Sequence, residues 1–437
     1  MVLLIGDILI DVSLSHNNSE DKMRLGGIIH AARALWALGI EYGVAYFAPD
    51  YLDEHIRAGL KEYKCKEIIK LGHVIDNPYV ILIKEAREIG NQGYDFLCRE
   101  SINIKYIEDT LNRIKEFEKI LIISGNFDLK RISNYIKDDQ KVSLDFANNV
   151  KSVEDLPSTI KYDTLFLSSS SDIFKRNYFN FEDFKDLFEK NTHKLVVKEN
   201  RGGSIGYIYK SKKKFDIPCF ITPIIHSVGV GDVFDIVSFV SNYNDFEDRL
   251  YYASWIAQEY AKTTFVNEFK LQVERSFNIE IDDLKQIEGC FLPWEERKKC
   301  KIYIAAPDFD YVDTGIIDKI EECLEYHNFD PKRPIKLNGQ LSDKPTMPER
   351  KRLFNKDMNL LNSCNALIGI YLYDDPGTFI EMAITWANKK PVILFDPKML
   401  SNNCMLVGIS NKIICDLDSL VDEIFRIYSK MYKNGTL

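Results

Sequence analysis

The sequence predicts an α/β protein in which mostly parallel sheets are covered by helices on both faces. Short apolar segments with strand character alternate with amphipathic helical patterns, and this alternation is typical of doubly wound sheets. A length of 437 residues is enough for two or three domains. Strand candidates are 2–5, 44–48, 79–83, 120–124, 142–146, 164–167 and 195–198, and helix candidates include 28–38, 53–61 and 107–117.

A charged connector divides the chain into two predicted domains. The stretch Trp294-Glu-Glu-Arg-Lys-Lys-Cys-Lys301 is mostly charged and leads directly into a new apolar strand. We therefore expect a first domain over 1–285, a charged linker over 286–299 and a second domain over 300–437. Apolar residues make up 45% of the chain, which is sufficient for a hydrophobic core in each domain.

Composition narrows the classes of partner. The 57 basic and 66 acidic residues leave a formal net charge of −9, which argues against a nucleic-acid backbone as partner. Nine cysteines without paired Cys-x-x-Cys spacing fit reduced thiols better than a disulfide framework or a metal site. No stretch approaches the roughly 18 apolar residues of a membrane span. We expect a cytoplasmic protein with no membrane partner and no metal site.

Two carboxylates near the end of the chain suit nucleophilic chemistry on a sugar. An apolar run over 366–372 stops at an acidic turn that contains Asp375, and Glu381 follows in the predicted first turn of a helix. Backbone N–H groups at a helix start favour an ionised carboxylate. Retaining glycosyl transfer needs one acid that attacks the anomeric carbon and another that manages the leaving group's proton. The plainer interpretation is a capped helix behind a solvated acidic turn.

The surroundings of these acids resemble the nucleoside 2-deoxyribosyltransferase family and its nucleotide N-hydrolase relatives. The resemblance covers 300–437, about the size of one compact α/β unit, and it implies a smaller Rossmann-like α/β domain. The features that carry it are the strand Lys301-Ile-Tyr-Ile-Ala-Ala-Pro307, Asp357 on a predicted helix, the Asp375–Glu381 segment, the strand Lys390-Pro-Val-Ile-Leu-Phe395 and Asn402-Asn-Cys-Met-Leu406.

This resemblance implies a role for each of five residues. Glu381 would be the nucleophile and Asp375 the acid that handles the base, with Asp357 as a further acidic residue of the site. Tyr303 would face the sugar from the first strand. Asn403 would complete the site of a neighbouring subunit, which implies a homo-oligomer. No cofactor is implied for this domain.

A glycine-rich segment in the first domain predicts an anion-binding helix start. Gly229 and Gly231 flank Val230 at the opening of an apolar helix. Exposed N–H groups there would cradle an anion, strengthened by the helix dipole. Asp232 follows, where it could orient or deprotonate an attacking hydroxyl during phosphoryl transfer. Taken alone, the motif is explained more simply as a plain helix start.

Together with three further segments, this motif resembles the PfkB, or ribokinase-like, family of sugar and nucleoside kinases over 1–285. The segments are Leu4-Ile-Gly-Asp-Ile-Leu-Ile-Asp11, Gly26-Gly-Ile-Ile-His-Ala-Ala-Arg-Ala-Leu-Trp-Ala-Leu-Gly39 and Val196-Val-Lys-Glu-Asn-Arg-Gly-Gly203.

The kinase resemblance implies a domain built on a ribokinase-like doubly wound sheet. Such a domain would use ATP with Mg²⁺. Asp11 would grip sugar hydroxyls, while Gly26 and Gly27 would let the backbone approach the sugar. Asp145 would lie on the substrate side. Asp232 would be the catalytic base, and its anion hole would be formed by Gly229, Val230 and Gly231.

Several positions depart from the kinase pattern on its metal and nucleotide side. A neutral imidazole at His226 cannot substitute for a carboxylate near magnesium. The first domain is therefore either an active kinase or a ligand-binding pseudo-kinase, and both interpretations stay open at this point. The other departures are His30, Ser169, Asp172, Lys198 and Asn200.

Two domains of these classes lead to a hypothesis about nucleosides or nucleotides. We expect cleavage of the N-glycosidic bond, or 2-deoxyribosyl transfer, by Glu381, with a first domain that phosphorylates or senses the same class of ligand. The alternative is an NAD-degrading glycohydrolase effector of antiphage type, gated by a catalytically degenerate kinase-like domain. A third hypothesis, a non-catalytic nucleotide-binding regulator, gives no reason for three acids in the second domain.

Overall fold

Two separate sheets of largely parallel strands organise the chain. The structure is a computed structural model that describes residues 1–14, 21–97, 101–146, 150–309, 311–341 and 344–437. These residues form two units. The first consists of Met1–Glu88 with Gln92–Phe291, and the second of Ile89–Asn91 with Leu292–Leu437.

The strands of the first unit form two sheets. Their bounds are β1 (Val2–Asp7), β2 (Ile10–Ser13), β3 (Lys22–Leu25), β4 (Tyr42–Ala48), β5 (Glu67–Ile75), β6 (Val80–Ile83), β7 (Asp95–Phe96), β8 (Asn103–Tyr106), β9 (Lys119–Ile123), β10 (Lys141–Asp145), β11 (Tyr162–Ser168), β12 (Thr192–Lys198), β13 (Ser204–Ile208) and β14 (Lys213–Ile217).

The larger sheet has the strand order β14-β13-β12-β11-β10-β9-β1-β4-β5-β8. The seven strands from β12 to β5 are parallel, and β13, β14 and β8 pair antiparallel at the two ends. Every residue of β4 is buried, as expected of a parallel strand covered on both faces. A smaller sheet has the order β3-β2-β6-β7.

Helices cover the larger sheet, and its main hydrophobic core includes buried residues of the four helices Ile29–Ala37, Val230–Val240, Phe246–Ala261 and Val266–Ser276. The helices of the first unit are α1 (Ile29–Ala37), α2 (Asp53–Glu62), α3 (Glu108–Leu111), α4 (Leu129–Ser133), α5 (Asp172–Asn177), α6 (Phe181–Asp186), α7 (Val230–Val240), α8 (Phe246–Ala261), α9 (Val266–Ser276) and α10 (Ile281–Gln286). Short 3₁₀ turns are Asp50–Leu52, Asn112–Glu116, Val153–Asp155 and Asn200–Gly202.

The second unit has an all-parallel sheet in the order β16-β15-β17-β18-β19. Its strands are β15 (Lys301–Ala305), β16 (Asp330–Lys332), β17 (Ala366–Ile370), β18 (Val392–Phe395) and β19 (Lys412–Ile414). Its helices are α11 (Trp294–Arg297), α12 (Gly315–Tyr326), α13 (Pro334–Asn338), α14 (Met347–Ser363), α15 (Pro376–Ala387), α16 (Cys404–Ile409) and α17 (Leu417–Lys433).

The predicted fold class is confirmed, because a large doubly wound sheet is followed by a smaller parallel α/β sheet. The expected helix over 107–117 is shorter than predicted. Its α-helical part ends at Leu111 and continues as the 3₁₀ turn Asn112–Glu116, a tighter winding that is frequent at helix ends. In the residues that the structure describes, no helix is long and apolar enough to cross a membrane.

A substitution at Leu367 tests how much the core of the second unit contributes to stability. Leu367 is fully buried on β17, between β15 and β18. We expect Leu367→Ala to lower the local free energy of unfolding by about 2–5 kcal/mol, because a cavity adds to the lost apolar burial. Native-state hydrogen exchange of peptides covering 366–370 measures this. The matched control Leu337→Ala, at a side chain that is 55% exposed, should change the value by less than about 0.5 kcal/mol.

Candidate active sites

In the second unit, Tyr303 and Glu381 lie together near the point where the strand order of the sheet reverses. From β15 the chain proceeds to β16 on one side and then to β17, β18 and β19 on the other. Such a reversal leaves a crevice at the carboxyl ends of the strands, where ligands of open α/β sheets bind. Tyr303 is fully buried on β15, and its hydroxyl donates a hydrogen bond of 2.6 Å to Glu381 Oε1.

Asp375 is the residue that caps the start of α15. Its Oδ2 accepts hydrogen bonds from the backbone N–H of Thr378, over 2.8 Å, and from the Thr378 hydroxyl, over 2.7 Å. The helix begins at Pro376, because proline suits the first helical position. Glu381 therefore lies in the second turn of α15, and the prediction that placed it in the first turn is wrong.

The electrostatics of Glu381 also differ from the expectation. Burial raises the pKa of Glu381 to about 7, the Tyr303 hydrogen bond opposes that rise, and the charges of Asp357 and Asp375 add to it. The helix dipole acts mainly within the first turn, where Asp375 already takes up a backbone N–H. Glu381 is thus only partly ionised near neutral pH, rather than held ionised by the helix start.

Asp357 lies on α14, as the sequence predicts, and is held by a residue that sequence reasoning missed. Its Oδ1 accepts a hydrogen bond of 2.8 Å from the side-chain nitrogen of Asn338, the last residue of α13. Burial raises the pKa of Asp357. The available signal was the Asn338-Gly339 pair, since Gly339 has a φ of 85° at the end of α13 and such pairs mark turns.

Asn403 caps the start of α16. Its side-chain oxygen accepts hydrogen bonds from the backbone N–H groups of Met405, over 2.9 Å, and Leu406, over 3.4 Å. The residue is exposed. Its described contacts are with its own helix, so its role at a neighbouring subunit stays a prediction.

In the first unit, Asp11 contacts a protein side chain. The Asp11 carboxylate lies against Gly26, where a Cβ would come within 2.1 Å of Oδ2. Gly27 has a φ of 61°, and a Cβ there would meet the Asp7 carbonyl oxygen at 2.1 Å. His30 Nε2 lies 3.0 Å from Asp11 Oδ2. Both glycines therefore permit a close approach, and the closest described partner of Asp11 is His30.

His30 connects Asp11 to the glycine-rich helix start. Its Nδ1 lies 2.7 Å from the Tyr260 hydroxyl, and a Cβ on Gly229 would meet the His30 ring at 2.1 Å. Burial lowers the pKa of His30 to about 4. The neutral ring then donates from Nε2 to Asp11 and accepts at Nδ1 from Tyr260, a tautomer assigned from these partners.

Lys198 fills the space beside the predicted anion hole. Its Nζ lies 2.5 Å from Asp235 Oδ2 and 3.2 Å from Asp145 Oδ2, and a Cβ on Gly231 would be 3.4 Å from it. Gly229, with a φ of 83°, precedes Val230, the first residue of α7. The helix start that the sequence predicts for an anion thus has a lysine ammonium beside it.

Three carboxyl groups share the surroundings of that ammonium. Burial raises the pKa of Asp232 to about 8, the charge of Asp145 adds to this, and Lys198 opposes it. Burial and Asp145 also raise the pKa of Asp235, while the facing carboxylates raise that of Lys198. The pKa of Asp232 is therefore raised well above that of an ordinary aspartate.

Asp235 was not identified as a site residue from the sequence. Its signal was a second acid, three residues after Asp232, in a mostly apolar helix. In the part of the chain that the structure describes, no group of three His, Cys, Asp or Glu side chains is arranged to hold a metal ion.

The Tyr303 hydroxyl should control the titration of Glu381. We expect Tyr303→Phe to raise the pKa of Glu381 by about one unit, because the ionised form loses a charge-assisted hydrogen bond. Infrared spectra of protein carrying ¹³C-labelled glutamate, with Glu381→Gln as the subtraction, follow that carboxyl. The exposed Tyr311→Phe should leave the titration unchanged, and a wild-type pKa near 4.5 would contradict the assignment.

Lys198 should be required for stability of the first unit. Lys198→Met leaves buried carboxyl groups without their cation, and we expect a loss of about 3 kcal/mol in the free energy of unfolding. Adding Asp235→Asn to Lys198→Met should recover part of the lost stability. Urea denaturation followed by circular dichroism measures both, with the exposed Lys175→Met as control. Wild-type stability of Lys198→Met would refute the pairing.

Comparison with protein families gives one match. The family model described as nucleoside 2-deoxyribosyltransferase matches residues 302–412. That segment contains all five site residues predicted for the second unit, and the resemblance predicted there is confirmed. No curated protein matches the chain.

Solved structures similar to this chain include three kinases. The nucleoside kinase of Methanocaldococcus jannaschii, an archaeal member of the ribokinase family, is 16% identical, covering 63% of this chain and 98% of that one with a TM-score of 0.42. The ribokinase of Arabidopsis thaliana complexed with ribose and ATP is 14% identical, covering 64% of this chain and 99% of that one with a TM-score of 0.46. The ribokinase of Thermotoga maritima is 15% identical, covering 64% of this chain and 99% of that one with a TM-score of 0.44.

A unit matching the nucleoside 2-deoxyribosyltransferase family model thus follows a doubly wound α/β unit in one chain.

Proposed function

We propose that the second unit breaks the N-glycosidic bond of a nucleoside or nucleotide, with Glu381 as the nucleophile. The observation that carries this proposal is the hydrogen bond from the buried Tyr303 to Glu381 Oε1. It orients one carboxylate oxygen. The charges of Asp357 and Asp375 act on the same group, so three acids and one phenol converge in a single place.

The proposed reaction begins with the ionised form of Glu381. Its carboxylate attacks C1′, the bond between C1′ and the base nitrogen breaks, and the bonding electron pair leaves with the base. Asp375, oriented by Thr378, supplies the proton that the departing base takes up. A water molecule or a second base then attacks C1′, its proton passes to Asp375, and the bond between C1′ and the Glu381 oxygen breaks. This restores both acids and completes hydrolysis or 2-deoxyribosyl transfer.

The first unit binds the same class of ligand in this proposal, and it either phosphorylates or senses that ligand. The raised pKa of Asp232 and the lysine beside Gly231 favour sensing, because phosphoryl transfer needs a positioned acceptor for the hydroxyl proton. The protein acts as a cytoplasmic homo-oligomer, and Asn403 completes the site of a neighbouring subunit.

The raised pKa of Asp232 and the lysine beside Gly231 also favour a second candidate function. If the first unit senses a ligand, the second unit is an effector that it gates, and the substrate is then NAD. Nicotinamide leaves NAD as a neutral molecule from a cationic glycoside, so its departure needs no proton. Ordinary bases do need one, and this difference separates the two candidates chemically.

Base release should depend on Glu381. We expect Glu381→Gln to lower the release rate by about 10³-fold or more, because the amide cannot form the glycosyl ester. Liquid chromatography of purified wild type and variant, with nucleosides, nucleoside monophosphates and NAD, with and without magnesium-ATP, measures this. The exposed Glu325→Gln is the matched control and should retain wild-type rates.

The substrates that respond decide between the candidates. Base released from a nucleoside or monophosphate supports the first, and Asp375→Asn should then slow release by about 10²-fold or more. Nicotinamide released from NAD alone, with little effect of Asp375→Asn, supports the second. Rates equal in wild type and Glu381→Gln would contradict the nucleophile assignment in both.

A further inference from the structure

The first unit contains a cluster of basic side chains that neither proposed reaction uses. Arg24 lies on β3, directly opposite Asp11 of β2. Arg33 lies on α1, within the same turn as His30. His226 precedes α7, and its Nδ1 accepts a hydrogen bond of 2.8 Å from Arg24 Nη2. We call Arg24, Arg33, His30 and His226 the basic cluster.

The two arginines have uncharged partners in the residues that the structure describes. Arg24 Nη2 also donates to the carbonyl oxygen of Val228 over 3.3 Å. Arg33 donates to the Tyr63 hydroxyl over 3.2 Å and to the Tyr260 hydroxyl over 3.3 Å. None of these partners compensates a positive charge, although Arg33 is only 8% exposed.

The histidines of the basic cluster add no charge. Burial lowers the pKa of His30 to about 4. Burial, followed by the charge of Arg24, lowers the pKa of His226 to about 2. Both rings are neutral near pH 7, so the positive charges of the basic cluster are those of its two guanidinium groups. The Asp11 carboxylate, opposite Arg24, already accepts a hydrogen bond from His30.

Arg24 also has an unused donor. Its Nε is buried and has no hydrogen-bond partner within the described chain. A buried donor of a charged group that lacks a partner costs free energy, and excess buried charge adds to that cost. The planar fork of an arginine matches the oxygens of a phosphate group, with two donors bound at once. A phosphate oxygen would supply the acceptor that Arg24 Nε lacks within the described chain.

We infer that the basic cluster binds the phosphate group of a phosphorylated sugar or nucleotide, so that the ligand of the first unit is a phosphate monoester rather than a free nucleoside. The inference rests on the proposed ligand-binding role of this unit and gives that ligand its chemical class. A unit that takes a ligand already carrying phosphate does not make that phosphate ester from a nucleoside.

Calorimetric titration of the full chain tests the inference. The protein carries Glu381→Gln so that the second unit does not consume the ligand. The probes are adenosine 5′-monophosphate, ribose 5-phosphate and inorganic phosphate, compared with adenosine and ribose. We expect at least one phosphate ester to bind about tenfold or more tightly than its unphosphorylated form. Hydrogen exchange of peptides covering 22–37 should show protection by that ester, which locates the binding in the first unit.

Variants of Arg24 complete the test. Arg24→Met should remove the preference for the ester, Arg24→Lys should keep part of it, and the exposed Arg57→Met should keep all of it. Thermal denaturation checks that each variant is folded. If both adenosine 5′-monophosphate and ribose 5-phosphate protect the peptides covering 22–37, the sugar phosphate is the part of the ligand that is recognised. If only adenosine 5′-monophosphate protects them, the ligand is a nucleotide.

Three results would overturn the inference. They are equal affinity for phosphorylated and unphosphorylated probes, an unchanged preference in Arg24→Met, and binding of inorganic phosphate without preference for either ester. Base release by the second unit does not involve Arg24. It is measured separately on the chain with Glu381 intact, so failure of this inference is distinguishable from failure of the proposed function.

Discussion

In both units the strand order reverses at the first strand of the sheet, and parallel strands bring the side chains of the candidate sites together at their carboxyl ends. From β1 the chain goes to β4 and β5 on one side and to β9 and β10 on the other, and from β15 it does the same with β16 and β17. Residues distant in sequence then meet at the carboxyl ends of the strands. Asp145 and Lys198 also meet at the carboxyl ends of two strands, β10 and β12, which lie on the same side of β1.

Burial at these edges decides the chemistry of the acids. It raises the pKa of Glu381 to about 7 and that of Asp232 to about 8, and the compensation differs between the two sites. Tyr303 gives Glu381 one neutral donor, which orients the carboxylate that we propose as the nucleophile without neutralising it. Lys198 places a full positive charge among the acids of the first unit.

Much of the architecture could be predicted because it depends on local patterns. Alternating strands and helices predicted the two sheets, and Asp375 and Glu381 stood out from their spacing. The pKa of Glu381 could not be predicted, since it depends on side chains packed around it from other elements. Asn338 and Asp235 were missed for the same reason, because their partners, Asp357 and Lys198, lie on other elements.

The sequence by itself determined the fold class and the identity of the acids, because hydrophobic periodicity and turn residues act over short stretches of chain. Tertiary structure alone decided which groups face one another and how they are charged. Asp11 contacts His30, Arg24 keeps a buried donor without a described partner, and Glu381 lies a turn deeper in α15 than its motif indicates. The reason is physical: desolvation and charge pairing depend on distance in space, which no spacing along the chain specifies.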